Sequence, residues 1–449
     1  MHLSESAPCI AKISAVHKLP HFLCGVLPLA RGLALLSLLF LQAGTAQAYS
    51  VLSHQAVIDS AWEDSIKPAL HAKYPEATRE QLLEAHAYAY GGAIIQDLGY
   101  YPYGNPFFSD LTHYVRSGDF VLALLRDARD LNEYAFALGA MAHYAADNNG
   151  HRLAVNLAVP ILYPKLKKKY GDTVTYEDDK LAHVKTEFGF DVLEIAKERY
   201  APDSYHKFIG FEVSERVLDQ AFEETYGLDL KKLLVDEDRA IRSYRNAVRN
   251  IFPKATRVAW HLKKDEIQRD LPGMTKRKFL YNMKRASFER EWGKDYQKPT
   301  FGERFLAFVY VLLPKFGPLK VLQFKTPTPI TEKLFEESFN ATLDRYRKLL
   351  RDQQSGKVLL PNDNFDVGVD TGPGKYKLND ETHAELIDRL ADQKFAGAPP
   401  EMIAELREFY ADTSLPYADK KDRKAQAKLQ AALDQLRLLN APEHLAGAN

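Results

Sequence analysis

His54, His113, His143, His151 and His183, together with Asp97, Asp147 and Glu187, fall within residues 49–187 of a 449-residue chain. Their types suit one chemistry above others. Neutral imidazole nitrogens and carboxylate oxygens are the donors that hold zinc where thiolates are missing. The spacing suits it too. His143, Asp147 and His151 stand four apart, so on a helix they follow one face and can project toward a common point. Asp147, in the middle, is placed to bridge two ions because a carboxylate has two oxygens. His183 and Glu187 repeat the four-residue interval in a second segment. Asp97 follows Gly91-Gly92 and His113 follows an aromatic stretch, so each can enter a cluster from its own segment. A lone histidine is more often a core or surface residue than a ligand. Two such pairs on separate helical segments point instead to several metal ions.

The elements that must position these residues read as helices. Residues 54–62 and 80–90 begin amphipathic stretches, 133–144 is an Ala/Leu-rich run of high helix propensity, and 181–199 is again periodic. Gly91-Gly92 reads as a break, and 100–108, rich in Tyr, Pro and Gly, as a long loop. Pro253 and the turn at 270–273 mark a boundary. Beyond it 330–350, 380–395, 401–410 and 420–439 read as helices, with 362–376 as a loop. The expected fold is all-α: a helical metal-binding domain over 49–255 and a helical C-terminal extension of unassigned role over 256–449.

The first 48 residues differ from the rest. Lys12, Lys18 and Arg31 precede the apolar run 32–41, and the stretch ends in Ala46-Gln47-Ala48. That is the pattern of a secretory signal, with an apolar part short for a transmembrane helix; an uncleaved membrane anchor is the alternative reading. Export is expected, to the periplasm or the medium, with Tyr49 as the new N-terminus. Both cysteines, Cys9 and Cys24, fall in this leader, which excludes a disulfide framework and a thiolate zinc site from the mature chain. Hydrophobic content of 46% and charged content of 27% exclude a disordered chain. Sixty basic residues balance sixty acidic ones, so no broad electrostatic grip on nucleic acid is expected. The basic run at 165–169 reads as a solvated helix face.

At the donor residues the chain resembles the bacterial zinc-dependent phospholipase C family, over about 49–199. The family's ordered pattern is a mature N-terminal residue, a His, an Asp, a His, HxxxD, a further His and HxxxE. Here it is Tyr49, His54, Asp97, His113, His143-Tyr-Ala-Ala-Asp147, His151 and His183-Val-Lys-Thr-Glu187. The resemblance implies up to three zinc ions. Asp97, His113, His143 and Asp147 would hold the first, and His151, His183 and Glu187 the second. His54, Asp147 and the amine and carbonyl of Tyr49 would hold the third. Two departures stand out: Tyr replaces the usual Trp at the new N-terminus, and the interval from Asp147 to His151 is shorter than usual.

The implied activity is hydrolysis of a phospholipid at a membrane surface. A zinc-bound hydroxide attacks, and diacylglycerol and a phosphorylated head group are released. Asp97 would act as ligand and as general base for the attacking water. Tyr100, Tyr101, Tyr103, Phe107 and Phe108 read either as an aromatic wall for a quaternary ammonium or as loop packing. Two other readings stay open. Zinc-dependent single-strand-specific nucleases share the metal set and the short spacing from Tyr49 to His54, although no basic groove for a stable nucleic-acid partner is evident. A zinc-stabilised, non-catalytic envelope protein would follow if every metal position were closed. Residues 305–313 read as a core helix or a membrane-docking stretch. His71, His86, His206, His261, His383 and His444 lack partner spacing and read as structural.

Overall fold

The computed structural model describes residues 50–197, 199–201, 203–248, 252–273, 317–412 and 423–439. The expected leader, both cysteines, Tyr49 and the 305–313 stretch lie outside the described residues. Those described are helical and without a strand, and an antiparallel bridge joins Asn364 to Val369. The fold is all-α. No described helix is long and apolar enough to cross a membrane.

The helices that position the donors are α1 (Val51–Ala61), α2 (Arg79–Gly92), α3 (Pro106–Tyr114), α4 (Ser117–Asp127), α5 (Leu131–Gly150) and α6 (Lys180–Ala196). Polar residues start most of them. Thr78 and Gln81 form a reciprocal capping box at α2, Asn105 caps α3, Asp130 accepts from the Glu133 amide at α5, and Asp179 accepts from the Ala182 amide at α6. Each satisfies amides that a helix start leaves without partners, worth about 1 kcal/mol apiece.

Helix α5 is the axis of the molecule. From Glu133 to Gly150 every residue is buried, as expected of a helix enclosed on all sides. Its small residues let neighbours approach closely. A Cβ on Gly92 would lie 1.9 Å from the Phe136 carbonyl oxygen, and one on Gly139 2.2 Å from that of Ala89. The Gly91-Gly92 pair thus ends α2, as its composition suggests, and Gly92 also permits a backbone-to-backbone crossing with α5, while Gly91 lies against the Glu212 carbonyl. After Gly150 the helical path continues through a π-helical turn, His151–Val155, into Asn156–Leu162.

The C-terminal helices pack on the same axis. They are α7 (Pro329–Gln354), α8 (Lys377–Asp392), α9 (Pro400–Phe409) and α10 (Arg423–Leu438). Along α7 the Tyr346 hydroxyl donates to the Leu138 carbonyl of α5 at 3.0 Å, and Phe335 stacks on Phe190 of α6 at 4.7 Å. Tyr346, Leu386, Leu406 and Leu436 belong to one hydrophobic cluster with Val57, Phe108 and Leu138. Each such side chain contributes about 1.5–3 kcal/mol by leaving water. Residues 355–376, between α7 and α8, form an irregular strap that runs back over α5.

Candidate metal centre

The eight donor residues within the described chain meet in three buried groups: His54, His143 and Asp147; Asp97, His113 and His143; and His151, His183 and Glu187. In each, one donor atom per residue lies within 4.8 Å of the others. His54 comes from α1, Asp97 from the 3₁₀ turn Ile95–Tyr100, and His113 from the end of α3. His143 and Asp147 come from α5, His151 from the π-helical turn, and His183 and Glu187 from α6.

Helix geometry explains the division. Four residues advance about 6 Å and turn about 40° past one revolution, so eight residues carry the third side chain well along and around the axis. His143 and Asp147 therefore meet, while His151 joins α6 in a separate group. The interval from Asp147 to His151 is regular α-helix, the His151 amide donating to the Asp147 carbonyl, and the backbone becomes π-helical only from His151 onward. Tyr49 lies outside the described residues. Ser50 and the start of α1 do not, and they are tied to α6. Asp191 accepts from the Leu52 and Ser53 amides, each at 3.1 Å, and from the Ser53 hydroxyl at 2.7 Å.

Asp147 is the hub. One of its oxygens lies 3.4 Å from Nε2 of His54, while the other lies 3.2 Å from His143 and 3.4 Å from His113. Asp97 faces His113 at 3.5 Å. In the third group the Glu187 carboxylate lies 3.9 Å from Nε2 of His151 and 3.9 Å from Nδ1 of His183. All of these side chains are buried.

The donors fit a divalent cation. Both oxygens of Asp97 and of Asp147, Nε2 of His113 and of His143, Nδ1 of His183 and one Glu187 oxygen are buried without a hydrogen bond. So many buried polar atoms left unsatisfied are costly unless something binds them. The outward ring nitrogens, by contrast, are engaged. His113 Nδ1 donates to the Ser109 carbonyl at 2.7 Å, His143 Nδ1 to Ala93 at 3.0 Å, and His183 Nε2 to Val174 at 2.6 Å. A carbonyl can only accept, so each ring carries its hydrogen outward and can present a lone pair inward.

The electrostatics carry the same signature. Burial pulls His183 down to about 3, helped by His151, so it is neutral and able to ligate at physiological pH. Burial would also lower His113, but Asp147 and Asp97 push it up to about 10. A proton held there partly offsets the two carboxylates, as a cation would do more completely. Burial raises Asp97, and it raises Glu187 well above the usual carboxylate range. For Asp147 burial is outweighed by His143, His113 and His54, which hold it well below that range.

Residues 53–233 match the family model for zinc-dependent phospholipase C. That segment contains every donor in the three groups, and a family that depends on zinc agrees with three groups suited to up to three zinc ions. The match supports a zinc phosphodiesterase. No curated protein and no solved structure matches the chain.

The aromatic stretch is divided between two roles. The 3₁₀ turn ends at Tyr100 and α3 begins at Pro106, so the irregular part is shorter than its composition suggests. Phe108 packs on Phe222 and Phe120, and Tyr101 on Tyr244, all within the core. Tyr100, whose ring centre is 5.9 Å from that of His113, is the member that borders the donors. Residues 165 and 167–169 are exposed, as expected of a solvated helix face.

Two further polar groups have no helical spacing to announce them. Asp59 meets His86 at 3.2 Å and His206 at 3.4 Å. Asp366, in the strap, meets Nδ1 of His151 at 3.0 Å.

Proposed function

We propose that the protein is an exported zinc-dependent phospholipase C that acts on phospholipid at a membrane surface and releases diacylglycerol and a phosphorylated head group. One observation carries this reading. A donor pattern dispersed over four helices and two turns gathers into three buried groups, inside the segment that matches the family.

Asp97, His113, His143 and Asp147 would hold one zinc, His151, His183 and Glu187 a second, and His54 with Asp147 a third. Zinc held there supplies Lewis acidity, which lowers the pKa of water and offsets charge on phosphoryl oxygens. The residues do the rest. Asp97 has two carboxylate oxygens without hydrogen bonds and serves as base for the attacking water. The water oxygen bonds to phosphorus as the bond to the glycerol oxygen breaks, and a proton returns to that leaving oxygen. Asp147 holds three imidazoles in fixed relation, and Tyr100 closes the side of His113 against solvent.

The third position would be completed by the amine of Tyr49 once the leader is removed after Ala48. Only a free amine has a basic lone pair; the same nitrogen within the precursor is an amide. Activity would then appear only in the processed chain. Ser50 is one helical turn from His54 and anchored beside α6, which favours that reach. Zinc stoichiometry of a chain starting at Tyr49, against one with a few added residues, tests it. Equal stoichiometry would remove Tyr49 from the set.

The activity itself is tested with zinc-loaded protein on phosphatidylcholine, phosphatidylethanolamine and single-stranded DNA in parallel. Release of phosphorylated head group is expected. Cleavage of DNA without lipid turnover would favour a nuclease, and turnover of neither a zinc-stabilised envelope protein.

A further inference from the structure

Outside the family match, one carboxylate is built into the metal centre. Asp366 is completely buried. Its Oδ1 lies 3.0 Å from Nδ1 of His151, and its Oδ2 accepts from the hydroxyls of Tyr114 at 2.8 Å and Tyr376 at 2.5 Å. Its carbonyl accepts from Asn156 Nδ2 at 2.8 Å, and its amide donates to Asn364 Oδ1 at 2.9 Å.

The strap that carries it is fixed immediately before Asp366. Asn362 accepts from the Gly118 and Asp119 amides at 3.1 and 3.0 Å, supplying the cap that α4 lacks from its own N-terminal residue. The Phe365 amide donates to the His113 carbonyl at 3.1 Å, and its ring centre lies 5.2 Å from that of His113. Phe365 also brings its carbonyl oxygen 3.2 Å from Nδ1 of His151. That nitrogen therefore faces two acceptors, one of them charged, while Nε2 of the same ring faces Glu187.

We propose that Asp366 is a positioning residue of the metal centre: it holds the His151 ring with Nε2 turned toward His183 and Glu187, and thereby sets zinc affinity in that group alone. The inference rests on the zinc reading above. A carboxylate behind a ligating imidazole fixes its tautomer and raises its basicity, and removing such a partner costs roughly ten- to a hundredfold in metal affinity. The geometry separates this from a purely structural role. Oδ2 accepts from Tyr114 of α3 and Tyr376 of the strap, whereas Oδ1 makes no hydrogen bond of its own and places its charge 3.0 Å from His151 Nδ1, whose hydrogen the Phe365 carbonyl accepts.

The test uses Asp366→Asn and Tyr376→Phe in the full mature chain, with circular dichroism to verify the helices. Zinc retained per chain is followed as a competing chelator is raised. In D366N the amide oxygen can still accept from the tyrosines, but its NH2 then meets the hydrogen on Nδ1, donor against donor. One class of zinc is expected to leave at roughly ten- to a hundredfold lower chelator concentration, the remainder as in wild type. Y376F, which spares Oδ1, is expected to follow the wild-type curve. D366S, neutral and shorter, carries the same test if D366N does not fold. A wild-type curve for the Asp366 variant overturns the inference and leaves the zinc reading standing, and so does equal zinc loss in Y376F. Wild-type protein that takes up no zinc overturns both.

Discussion

Asp147 turns its two carboxylate oxygens toward different imidazoles: one lies 3.4 Å from Nε2 of His54, the other 3.2 Å from Nε2 of His143. An amide cannot do both. In Asp147→Asn either orientation sets an NH2 against one of these nitrogens, so one of two groups loses its donor. Activity is expected to fall more than about a hundredfold, beyond what loss of a mere ligand support costs. Glu187→Gln should be milder, because it touches one group and can still offer its carbonyl oxygen. Comparing turnover at matched zinc content checks this; parity between Asp147→Asn and wild type would remove the bridging role.

How much of this was readable beforehand follows from sequence separation. His143–Asp147 and His183–Glu187 announce themselves because a four-residue interval returns a helix to the same face, and the Ala/Leu-rich run 133–144 has the composition of a helix, although its burial on all sides shows only in the packing. Asp366 gives no such sign: 215 positions separate it from His151, and only the packing of the strap on α5 brings them together. Asp59, His86 and His206 come from three helices and meet for the same kind of reason. Composition could not divide the aromatic stretch either, since burial of Phe108 and placement of Tyr100 beside His113 depend on how α3 packs.

Chelation should lower stability as well as activity. Asp97, Asp147 and Glu187 are buried among imidazoles, and without cations their charge is poorly compensated. A site saturated at a hundred times its Kd adds about 2.7 kcal/mol to folding, which is worth several degrees in melting temperature. Tm is expected to fall in excess chelator, recover with zinc and rise with free zinc concentration. A Tm indifferent to chelator would argue against zinc in these groups.

The Asp59 cluster makes a separate prediction about acid. Its carboxylate accepts from His86 and from the Tyr90 hydroxyl and faces His206, while Trp62 stacks on His86 at 3.8 Å. Burial opposes its charge, but His206 and His86 overcome this and lower it from 3.8 to about 2. A lowered carboxyl stabilises the fold above its unfolded value and loses that contribution as pH falls through the folded one. The contribution, about 2 kcal/mol, should be present at pH 5 and vanish between about pH 4 and 2. Urea unfolding in chelator should show Asp59→Asn less stable than wild type at pH 5, with the difference gone near pH 2. A constant difference across that range would assign the cost to packing.

Gly368 offers the strictest test of how the strap is seated. It adopts φ +69°, a conformation that other residues adopt at a cost of about 1–3 kcal/mol. It also lies against α5, where an added Cβ would come 2.4 Å from the Asn148 carbonyl oxygen, part of a buried helix with no room to retreat. Gly356 shares φ +69° but has open space where a Cβ would go. The two alanine substitutions therefore separate backbone strain from contact. Gly356→Ala should cost only the conformational part and leave zinc retention unchanged. Gly368→Ala should cost more, because the strap must lift from α5, and it should loosen zinc because Asp366 lies two residues away. Unfolding in urea and zinc retention under chelator, measured on both variants, decide the matter. Equal destabilisation with unaltered zinc in both would mean that the strap's grip on α5 is not what holds His151 in place.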